Sequence, residues 1–189
     1  MLRAELKARR SAISDKPSRS KNACDRLLPL LFGNVMIYVS IGSELDTRAL
    51  TDKLLNTDGV TVYVPYTKNG RIFPVRLEKT GTPDRFGNLL RECYNADDLA
   101  AADGVGEYVP PEIDCCVTPL LGINGIGHRI GYGKGCYDRF FAEVKTRRIG
   151  LAFECQLCNF TPDPLDVPLD CCVFETKVVY FNHNASDCG

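Results

Sequence analysis

The residues best suited to chemistry lie in a glycine-rich run, NGIGHRIGYGKGCYDRFF, at residues 124 to 141. Five of the sixteen glycines fall within eleven positions, from Gly125 to Gly135, with Arg129 and Lys134 between them. Glycines allow positive φ angles, so successive N–H groups can turn inward and form an anion-binding nest. A helix that begins just after the run would add its N–H groups and the positive end of its dipole. The run therefore indicates a cradle for phosphate groups, with a plain glycine-rich hairpin or tight connection as the alternative.

The two best-known phosphate-binding motifs do not fit this run. A Walker A loop requires a glycine at the position of His128 and a serine or threonine at the position of Gly135. The dinucleotide-binding fingerprint would need a small third residue at Cys136, and it belongs beside the first strand of a domain. The sequence therefore predicts a phosphate loop of another kind.

Aspartates near the run are candidate ligands for the Mg²⁺ ion that accompanies a nucleoside triphosphate. Asp138 follows the glycines in the first turn of the predicted helix, while Asp163, Asp166 and Asp170 precede the last strongly apolar segment. Mg²⁺ is bound through one or two carboxylates and keeps several waters, so one aspartate from each segment is enough. Two simpler interpretations stay open. Asp138 could be only a favourable charge at a helix N-terminus, and the stretch with Asp163, Asp166 and Asp170 could be only a turn.

Alternating apolar and amphipathic segments predict the elements that hold these residues in position. Four of the five β-rich segments are continuously apolar, which is typical of strands buried on both faces. The predicted strands cover residues 35–40, 60–65, 113–119, 148–153 and 171–175. The predicted helices cover residues 47–56, 95–103 (the weakest) and 137–145.

This alternation of strands and helices favours an α/β fold. We predict a single three-layer domain over residues 1–189, Rossmann-like, with a mostly parallel central sheet flanked by helices. Residues 71–78 contain a proline and should form an edge strand, and residues 182–189 should form a flexible tail. The glycine run follows strand 113–119, so it should lie at the carboxyl ends of the strands, where such sheets bind ligands.

The composition excludes several classes of protein. A net charge of −1 and a pI near 6.1 provide no basic surface for a nucleic-acid partner. No apolar run approaches the ~20 residues of a membrane span. The ten cysteines fall mostly in apolar segments, so we expect reduced thiols that pack as small hydrophobic residues. Cys155 and Cys158 have the spacing of half a zinc site, but a well-spaced second pair is missing, and we do not expect zinc.

The N-terminal stretch has two interpretations. Leu2, Leu6 and Ile13 alternate with basic residues, as they would in a mitochondrial transit peptide. The same pattern continues through residues 27–31, which favours a pair of surface helices broken at residues 14–17. We therefore expect a cytoplasmic protein, with a mitochondrial location as the alternative.

The glycine run and its surroundings resemble the signature of the 5-formyltetrahydrofolate cyclo-ligases, also called 5,10-methenyltetrahydrofolate synthetases. The matching residues are PLLGINGIGHRIGYGKGCYDR, from 119 to 139. The resemblance continues in LRAELKARRSAIS near the N-terminus, in YVSIGSELDT and VTVYVPYTKNG, and in LAFECQLCNFTPDPLDVPLDCCVFE near the C-terminus. It therefore extends over nearly the whole chain.

The resemblance implies an ATP- and Mg²⁺-dependent ligase that acts on 5-formyltetrahydrofolate, with or without a polyglutamate tail. ATP phosphorylates the formyl oxygen at nitrogen 5, nitrogen 10 attacks the activated carbon, and phosphate leaves as the ring closes. The products are 5,10-methenyltetrahydrofolate, ADP and phosphate. Phosphoryl transfer depends on positioning and charge neutralisation, which a cradle and a metal ion supply. We expect a monomer, without a nucleic-acid or membrane partner.

The same resemblance implies roles for individual residues. The ATP-binding residues would be Arg3, Arg129, Gly131, Gly133, Lys134, Gly135 and Asp138. The substrate-binding residues would be Glu44, Tyr132, Gly133, Lys134, Gly135 and Cys136. Within this set, the Glu44 carboxylate would accept N–H bonds from the pterin. The catalytic residues would be Lys134, Arg129 and Tyr137, and the metal ligands Asp138 and Asp166.

Four positions depart from the family pattern. Cys136 stands where the first of two tyrosines is usual, which removes an aromatic wall near the substrate. Asn124 replaces an aspartate, and Cys93 replaces a proline. The lysine expected before the first-helix arginine would precede Met1. These changes bear on rate and affinity more than on the type of reaction, because the phosphate and metal residues are intact.

Two other functions stay open. A different ATP-dependent kinase or ligase would keep the cradle and change the folate side, and a catalytically silent protein would keep only nucleotide or folate binding. Cys136 and Asn124 are the residues that keep both open. A Ser-His-Asp or Cys-His hydrolase is disfavoured, because the chain has only His128 and His183, and His183 lies in the polar tail.

Overall fold

The computed structural model describes residues 2–78, 96–104 and 108–182. The helices are α1 Leu2–Ser11, α2 Lys16–Leu27, α3 Arg48–Leu55, α4 Ala96–Ala102 and α5 Cys136–Glu143. The strands are β1 Gly33–Ile37, β2 Val60–Lys68, β3 Arg71–Arg76, β4 Cys115–Thr118, β5 Gly122–Ile123, β6 Arg129–Ile130, β7 Arg147–Leu151, β8 Cys171–Val173 and β9 Val178–Tyr180. Three predicted features lie outside the described residues. They are Cys93, residue 95 at the start of the weakest predicted helix, and residues 183–189 of the predicted tail.

Seven of the strands form one sheet in the order β3-β2-β1-β4-β7-β8-β9. The strands from β2 to β8 in this order are parallel, and β3 and β9 pair antiparallel at the two edges. The chain runs outward from β1 to β3 and then returns to the other side of β1 at β4. Such a reversal is the switch point of a doubly wound sheet, where ligands bind outside the carboxyl ends of the strands. The predicted α/β fold with a mostly parallel sheet is confirmed.

Both faces of the sheet are covered, because successive residues of a strand point to opposite sides. Val35 and Ile37 of β1 belong to a core that includes residues of α2 and α3. Met36, between them, belongs to a second core that includes Phe140 and Phe141 of α5. The helices therefore form layers on the two sides of the sheet, as predicted.

The adjacent cysteines follow the same alternation. Cys115 and Cys171 face the core with α2 and α3, while Cys116 and Cys172 face the core with α5. All four are buried free thiols. Burial raises the pKa of each of these thiols, so they stay protonated. They pack as small apolar residues, which confirms the expectation from the sequence.

The edges of the sheet show what the sequence pattern detects and what it misses. The proline-containing strand β3 lies at an edge, as predicted, and Pro74 faces Pro65 of β2. Asn69 and Gly70, with φ angles of 51° and 76°, form the tight turn between the two strands. The opposite edge strand β9 and the hairpin β5–β6 were not predicted, because two or three residues are too few to show a periodicity.

The predicted N-terminal helix pair is present. α1 and α2 are separated by residues 12–15, and α2 carries Pro17 in its first turn. Leu6 of α1 is buried in a small cluster with Leu121 and Ile130, so this helix packs against the segment that contains the glycine run. Among the described helices, none has the length and apolar character needed to cross a membrane.

Candidate active site

Three connections meet at the carboxyl edge of the sheet around the switch point. They follow β1, β4 and β7, and the connection after β4 contains the glycine run. The Cys158 amide donates to the Ile123 carbonyl at 2.9 Å, and the Leu169 amide donates to the Gly127 carbonyl at 2.9 Å. The sheet topology thus brings segments that are distant in sequence to one place, and these two hydrogen bonds join the connection after β4 to the connection after β7.

The first part of the glycine run is a structural turn between β5 and β6. Oδ1 of the buried Asn124 accepts hydrogen bonds from the amides of Ile126 at 3.2 Å and His128 at 2.9 Å. An aspartate would accept the same two bonds, so this departure from the family pattern changes the charge and preserves the turn. A Cβ on Gly127 would lie 2.8 Å from the ring of Phe181, so packing accounts for that glycine.

The glycine loop, residues 131–135, has different requirements. Gly133 and Gly135 have φ angles of 91° and 61°, a region that side chains with a Cβ rarely adopt. Gly131 has no such angle, and a Cβ on it would meet no described atom within 4 Å. No described contact explains the glycine at 131, whereas a ligand that approaches the backbone closely would.

Lys134 and the start of α5 supply positive charge and hydrogen-bond donors at the same point. The Lys134 side chain is exposed, and its ammonium makes no hydrogen bond or ion pair with another described residue. α5 begins at Cys136, and its N-cap residue Gly135 provides no side-chain cap. The first N–H groups of α5 are therefore available to an anion, together with the positive end of the helix dipole.

Two arginines fix the glycine loop from different elements. Nε of Arg3, in α1, donates to the Gly131 carbonyl at 3.1 Å. Arg139, in α5, donates to the Lys134 carbonyl and also binds the Gly70 carbonyl through Nε at 3.1 Å and Nη2 at 2.8 Å. The predicted contact of Arg3 with the nucleotide stays a prediction, and the part played by Arg139 was not predicted.

Arg129 is buried against α5. Its side chain is 4% exposed and donates to Asp138 Oδ1 at 2.9 Å and to the Val167 carbonyl at 2.9 Å. Its guanidinium also lies 5.1 Å from the ring centre of Phe141 and 5.9 Å from that of Tyr137. Arg129 therefore joins α5 to the connection after β7, and its predicted contact with phosphate stays a prediction.

Asp138 in α5 and Asp166 on the connection after β7, the two predicted metal ligands, lie on segments that touch. Asp138 Oδ1 also accepts from the amide of Val167, the residue after Asp166, at 3.2 Å. Asp166 Oδ2 accepts from the amide of Asp163 at 2.9 Å. Each carboxylate keeps one oxygen that accepts no hydrogen bond from a described residue. Carboxylate oxygens are the donor type that Mg²⁺ takes, with phosphate and water completing its shell, so metal binding by these two residues stays a prediction.

The remaining aspartates of this connection are engaged elsewhere. Asp170 forms an ion pair with Arg148, and Asp163 Oδ1 accepts from the Leu165 amide at 3.0 Å. No group of three or more His, Cys, Asp or Glu residues suited to a metal occurs within the described ranges. A metal ion at this edge would therefore depend on the two aspartates together with ligand oxygens.

Glu44 lies after β1 and is joined to the glycine loop. It is 8% exposed, and its Oε1 accepts from the Tyr132 hydroxyl at 2.6 Å and its Oε2 from the Ile41 amide at 2.9 Å. The Tyr132 oxygen in turn accepts from Arg10 Nη2 at 2.8 Å. We call these side chains the Arg10–Tyr132–Glu44 network. The predicted contact of Glu44 with the pterin stays a prediction.

The electrostatics of this network keep the tyrosine protonated. Burial raises the pKa of Tyr132, the hydrogen bond from Arg10 lowers it, the Glu44 carboxylate raises it, and the net direction is upward. The phenol therefore remains a donor to Glu44 at neutral pH. Burial likewise raises the pKa of Tyr137.

Cys136 and Tyr137 occupy the first turn of α5. Both are partly buried and pack against the core on the α5 side of the sheet. The Cys136 thiol lies 3.9 Å from the Lys134 carbonyl. Their predicted position between nucleotide and folate stays a prediction.

Sequence reasoning missed two arginines that contact this site, Arg10 and Arg139. Arg10 follows Leu6 by four positions, so both side chains lie on the same face of α1. A basic residue on the buried face of a helix was therefore a usable signal. Arg139 is the last residue of the glycine-rich signature at 119–139, but its main partner, the Gly70 carbonyl, is 69 positions away in sequence, so the signature does not show what its side chain contacts.

The fold and the site together define a class of protein. It is a doubly wound α/β domain with a glycine loop and a helix N-terminus at the switch point, suited to phosphate groups. Residues 1–175 match the 5-formyltetrahydrofolate cyclo-ligase family. The chain belongs to this family.

Known proteins agree with this assignment in sequence and in fold. The 5-formyltetrahydrofolate cyclo-ligase of Escherichia coli K12 is 26% identical over 193 residues, which cover 92% of this chain and 98% of that protein. The protein of the same name from Mycoplasma genitalium is 47% identical over 66 residues, and this match spans only 40% of its length and 34% of this chain.

Solved structures share the fold. The 5,10-methenyltetrahydrofolate synthetase of Aquifex aeolicus superposes with a TM-score of 0.71 at 23% identity, covering 100% of this chain and 97% of that one. A 5,10-methenyltetrahydrofolate synthetase from Mycoplasma pneumoniae superposes with a TM-score of 0.69 at 22% identity, covering 92% of this chain and 96% of that one.

Proposed function

We propose that this chain converts 5-formyltetrahydrofolate to 5,10-methenyltetrahydrofolate and couples the ring closure to conversion of ATP to ADP and phosphate. Family membership supports the type of reaction. The observation that carries the proposal at the level of the site is the exposed Lys134 ammonium beside the glycine loop and the N-terminus of α5. These groups form an anion site at the switch point, within reach of the network that contains Glu44.

The phosphate side of the reaction belongs to the glycine loop. Backbone amides of Gly133 and Gly135 and of the first turn of α5 bind the phosphate oxygens, and Gly131 leaves room for their approach. The Lys134 ammonium lies against the phosphoryl group that is transferred from ATP to the formyl oxygen, and it stabilises the negative charge of that group. Arg3 holds the loop and extends towards the nucleotide from α1.

Asp138 and Asp166 hold the Mg²⁺ ion through their free oxygens. A Mg²⁺ ion held there would supply positive charge to neutralise the phosphates. Arg129 maintains the geometry, because it binds Asp138 Oδ1 and the Val167 carbonyl and so keeps the two carboxylates on touching segments.

The folate side belongs to the connection after β1 and to the residues that flank the glycine loop. Glu44 accepts N–H bonds from the pterin, and Tyr132, Cys136 and Tyr137 line the space between pterin and nucleotide. The protein holds nitrogen 10 near the phosphorylated formyl carbon, so ring closure is an intramolecular attack that depends on orientation. A cysteine at 136 presents less surface to the ring than an aromatic residue would.

The assay follows the conjugated methenyl product by its near-ultraviolet absorbance, with purified protein, 5-formyltetrahydrofolate, Mg²⁺ and ATP. We expect product only when ATP and Mg²⁺ are both present, with one ADP released per turn. Ligand-induced thermal stabilisation without turnover would instead identify a silent binding protein. ATP-dependent turnover of another substrate, without methenyl product, would identify a different kinase or ligase.

The setting in which the enzyme works is part of the proposal. We propose that it acts as a monomer in the cytoplasm and accepts folate with or without a polyglutamate tail. Size-exclusion chromatography tests the monomeric state, and a comparison of mono- and polyglutamylated substrates tests the substrate range.

A further inference from the structure

Arg10 is among the largest fully buried side chains in the described part of the chain, with 2% of its surface exposed. It donates to Ser43 Oγ at 3.1 Å, to the Leu120 carbonyl at 3.1 Å and to the Tyr132 hydroxyl at 2.8 Å. It forms no ion pair with a described carboxylate. The nearest negative charge in its hydrogen-bonded chain is Glu44, which it reaches through the Tyr132 hydroxyl.

Stability alone does not account for an arginine at this position. A buried charge without a directly paired carboxylate loses hydration that neutral oxygens replace only in part. Leu6, one turn earlier on the same face of α1, is an equally buried apolar side chain. Since an apolar residue would avoid the desolvation of a charge, the arginine at position 10 points to a role in the site.

The contacts of Arg10 show what that role is. Ser43 precedes Glu44 on the connection after β1, and Tyr132 belongs to the glycine loop. One guanidinium therefore holds the two connections that border the switch point. Arg3 and Arg139 bind other parts of the same loop, at Gly131 and Lys134, without contacting Glu44 or Tyr132 among the described hydrogen bonds.

We propose that Arg10 is a positioning residue for the folate, acting through Tyr132 on Glu44 without touching either substrate. This inference rests on the proposed function, because it assigns the network to the folate side of the site. The hydroxyl of Tyr132 relays the position of Arg10 to the Glu44 carboxylate. Loss of any link in the network weakens folate binding and leaves nucleotide binding unchanged, because the phosphate side is held by Arg3 and Arg139.

Two variants break the network at different atoms. Arg10→Met removes the guanidinium and keeps an unbranched side chain, and Tyr132→Phe removes one hydroxyl and keeps the ring. Each breaks a hydrogen bond to a charged group, so the dissociation constant for 5-formyltetrahydrofolate should rise about tenfold or more. Because the two side chains act in series, the double variant should be little worse than the weaker-binding single variant.

Isothermal titration calorimetry measures the two ligands separately, with 5-formyltetrahydrofolate alone and with a non-hydrolysable ATP analogue plus Mg²⁺. Tyr66→Phe is the matched control for Tyr132→Phe, because the Tyr66 hydroxyl donates to the Asp103 carboxylate at 2.7 Å in the edge hairpin. Arg26→Met, on α2, is the control for Arg10→Met. We expect both control variants to bind both ligands as the wild type does.

Several results would overturn the inference. Unchanged folate affinity in Tyr132→Phe refutes it even if Arg10→Met fails to fold. An equal loss of folate and nucleotide affinity shows a general structural effect, and fully additive losses in the double variant show that the two side chains act independently. Wild-type protein that does not bind 5-formyltetrahydrofolate would refute the proposed function and this inference with it, whereas a wild type that binds and variants that match it refute the inference alone.

Discussion

Replacing Asp138 with asparagine separates the ion pair that this carboxylate forms with Arg129 from the metal-binding role that we propose for it. Oδ1 of Asp138 accepts from Arg129 Nη2 and from the Val167 amide, whereas Oδ2 accepts from no described residue. Asparagine keeps an acceptor of the same size and loses the charge, so the hydrogen bonds survive while the ion pair and the metal ligand are lost. We expect lower stability without ligands and a higher Mg²⁺ requirement during turnover.

The size of the stability loss follows from burial. The Arg129 side chain is 4% exposed and that of Asp138 is 26% exposed, so the arginine stays charged with little access to water. Loss of one partner from a fully buried ion pair costs about 3–5 kcal/mol. Because Asp138 is partly solvated and the amide oxygen still accepts a hydrogen bond, we expect about 1–2 kcal/mol here. For a chain of 189 residues, this corresponds to a decrease of about 2–8 °C in Tm.

Urea unfolding without nucleotide measures the first effect, and an Mg²⁺ titration of turnover at saturating ATP and folate measures the second. The same substitution in an Arg129→Met background isolates the ion pair, because the buried positive charge is then absent and the stability loss should shrink. The raised Mg²⁺ requirement should persist in that background. Equal stability losses in the two backgrounds would refute the ion-pair argument, and an unchanged Mg²⁺ titration would remove Asp138 from the metal site.

Three further predictions concern Lys134, Arg139 and the ion pair between Asp46 and Arg48. Lys134→Ala should lower kcat about a hundredfold or more in the methenyl assay. The control is Lys145→Ala, which replaces an exposed lysine beyond the other end of α5 and should leave kcat unchanged. Near-normal turnover of Lys134→Ala would exclude a role for Lys134 at the phosphate. Arg139→Met removes the hydrogen bond to the Lys134 carbonyl and should raise the Kd for the Mg²⁺–ATP analogue about 5- to 30-fold, with the Kd for folate unchanged. Calorimetry that shows the same rise in both dissociation constants would contradict this. Hydrogen bonds from Arg48 lower the pKa of Asp46 in the folded protein. The ionised carboxylate therefore stabilises the fold above the unfolded-state pKa of about 3.9, and this stabilisation is lost as the pH falls through the lowered folded-state pKa. Asp46→Asn should therefore cost under ~1 kcal/mol at neutral pH, since the Asp46 side chain is 39% exposed, and this cost should shrink as the pH falls through the lowered folded-state pKa. Urea unfolding that shows the same cost at neutral and at acidic pH would refute the assignment.

The strands and the longer helices could be read from the sequence because their signals are local. Continuous apolar segments predicted the inner strands, and Pro74 predicted that β3 lies at an edge. The structure begins α5 at Cys136 and ends it at Glu143, close to the predicted residues 137–145. β9 and the hairpin β5–β6 escaped prediction, because such short strands are defined by their pairing partners and not by their own pattern.

The candidate site divides in the same way. The glycine spacing and the positions of Lys134 and Asp138 predicted an anion cradle next to a helix N-terminus. The structure begins α5 directly after Gly135, and anion binding there stays a prediction. The sequence showed that Arg129 is basic and close to the glycines, but not that its side chain is buried against Asp138. Asn124 was identified as a departure from the family pattern, and only the contacts of its side chain show that it preserves the turn.

The sequence by itself determined the family and the layered α/β fold, and it predicted phosphate binding by the glycine run, because periodicity, glycine spacing and charge are properties of neighbouring residues. Only the tertiary structure decided which charged side chains are buried and which ones meet. Arg10 and Tyr132 are 122 positions apart in sequence, and Tyr132 and Glu44 are 88 apart. Contacts over such separations depend on the order of the strands and on the packing of α1, and no local pattern records either of these.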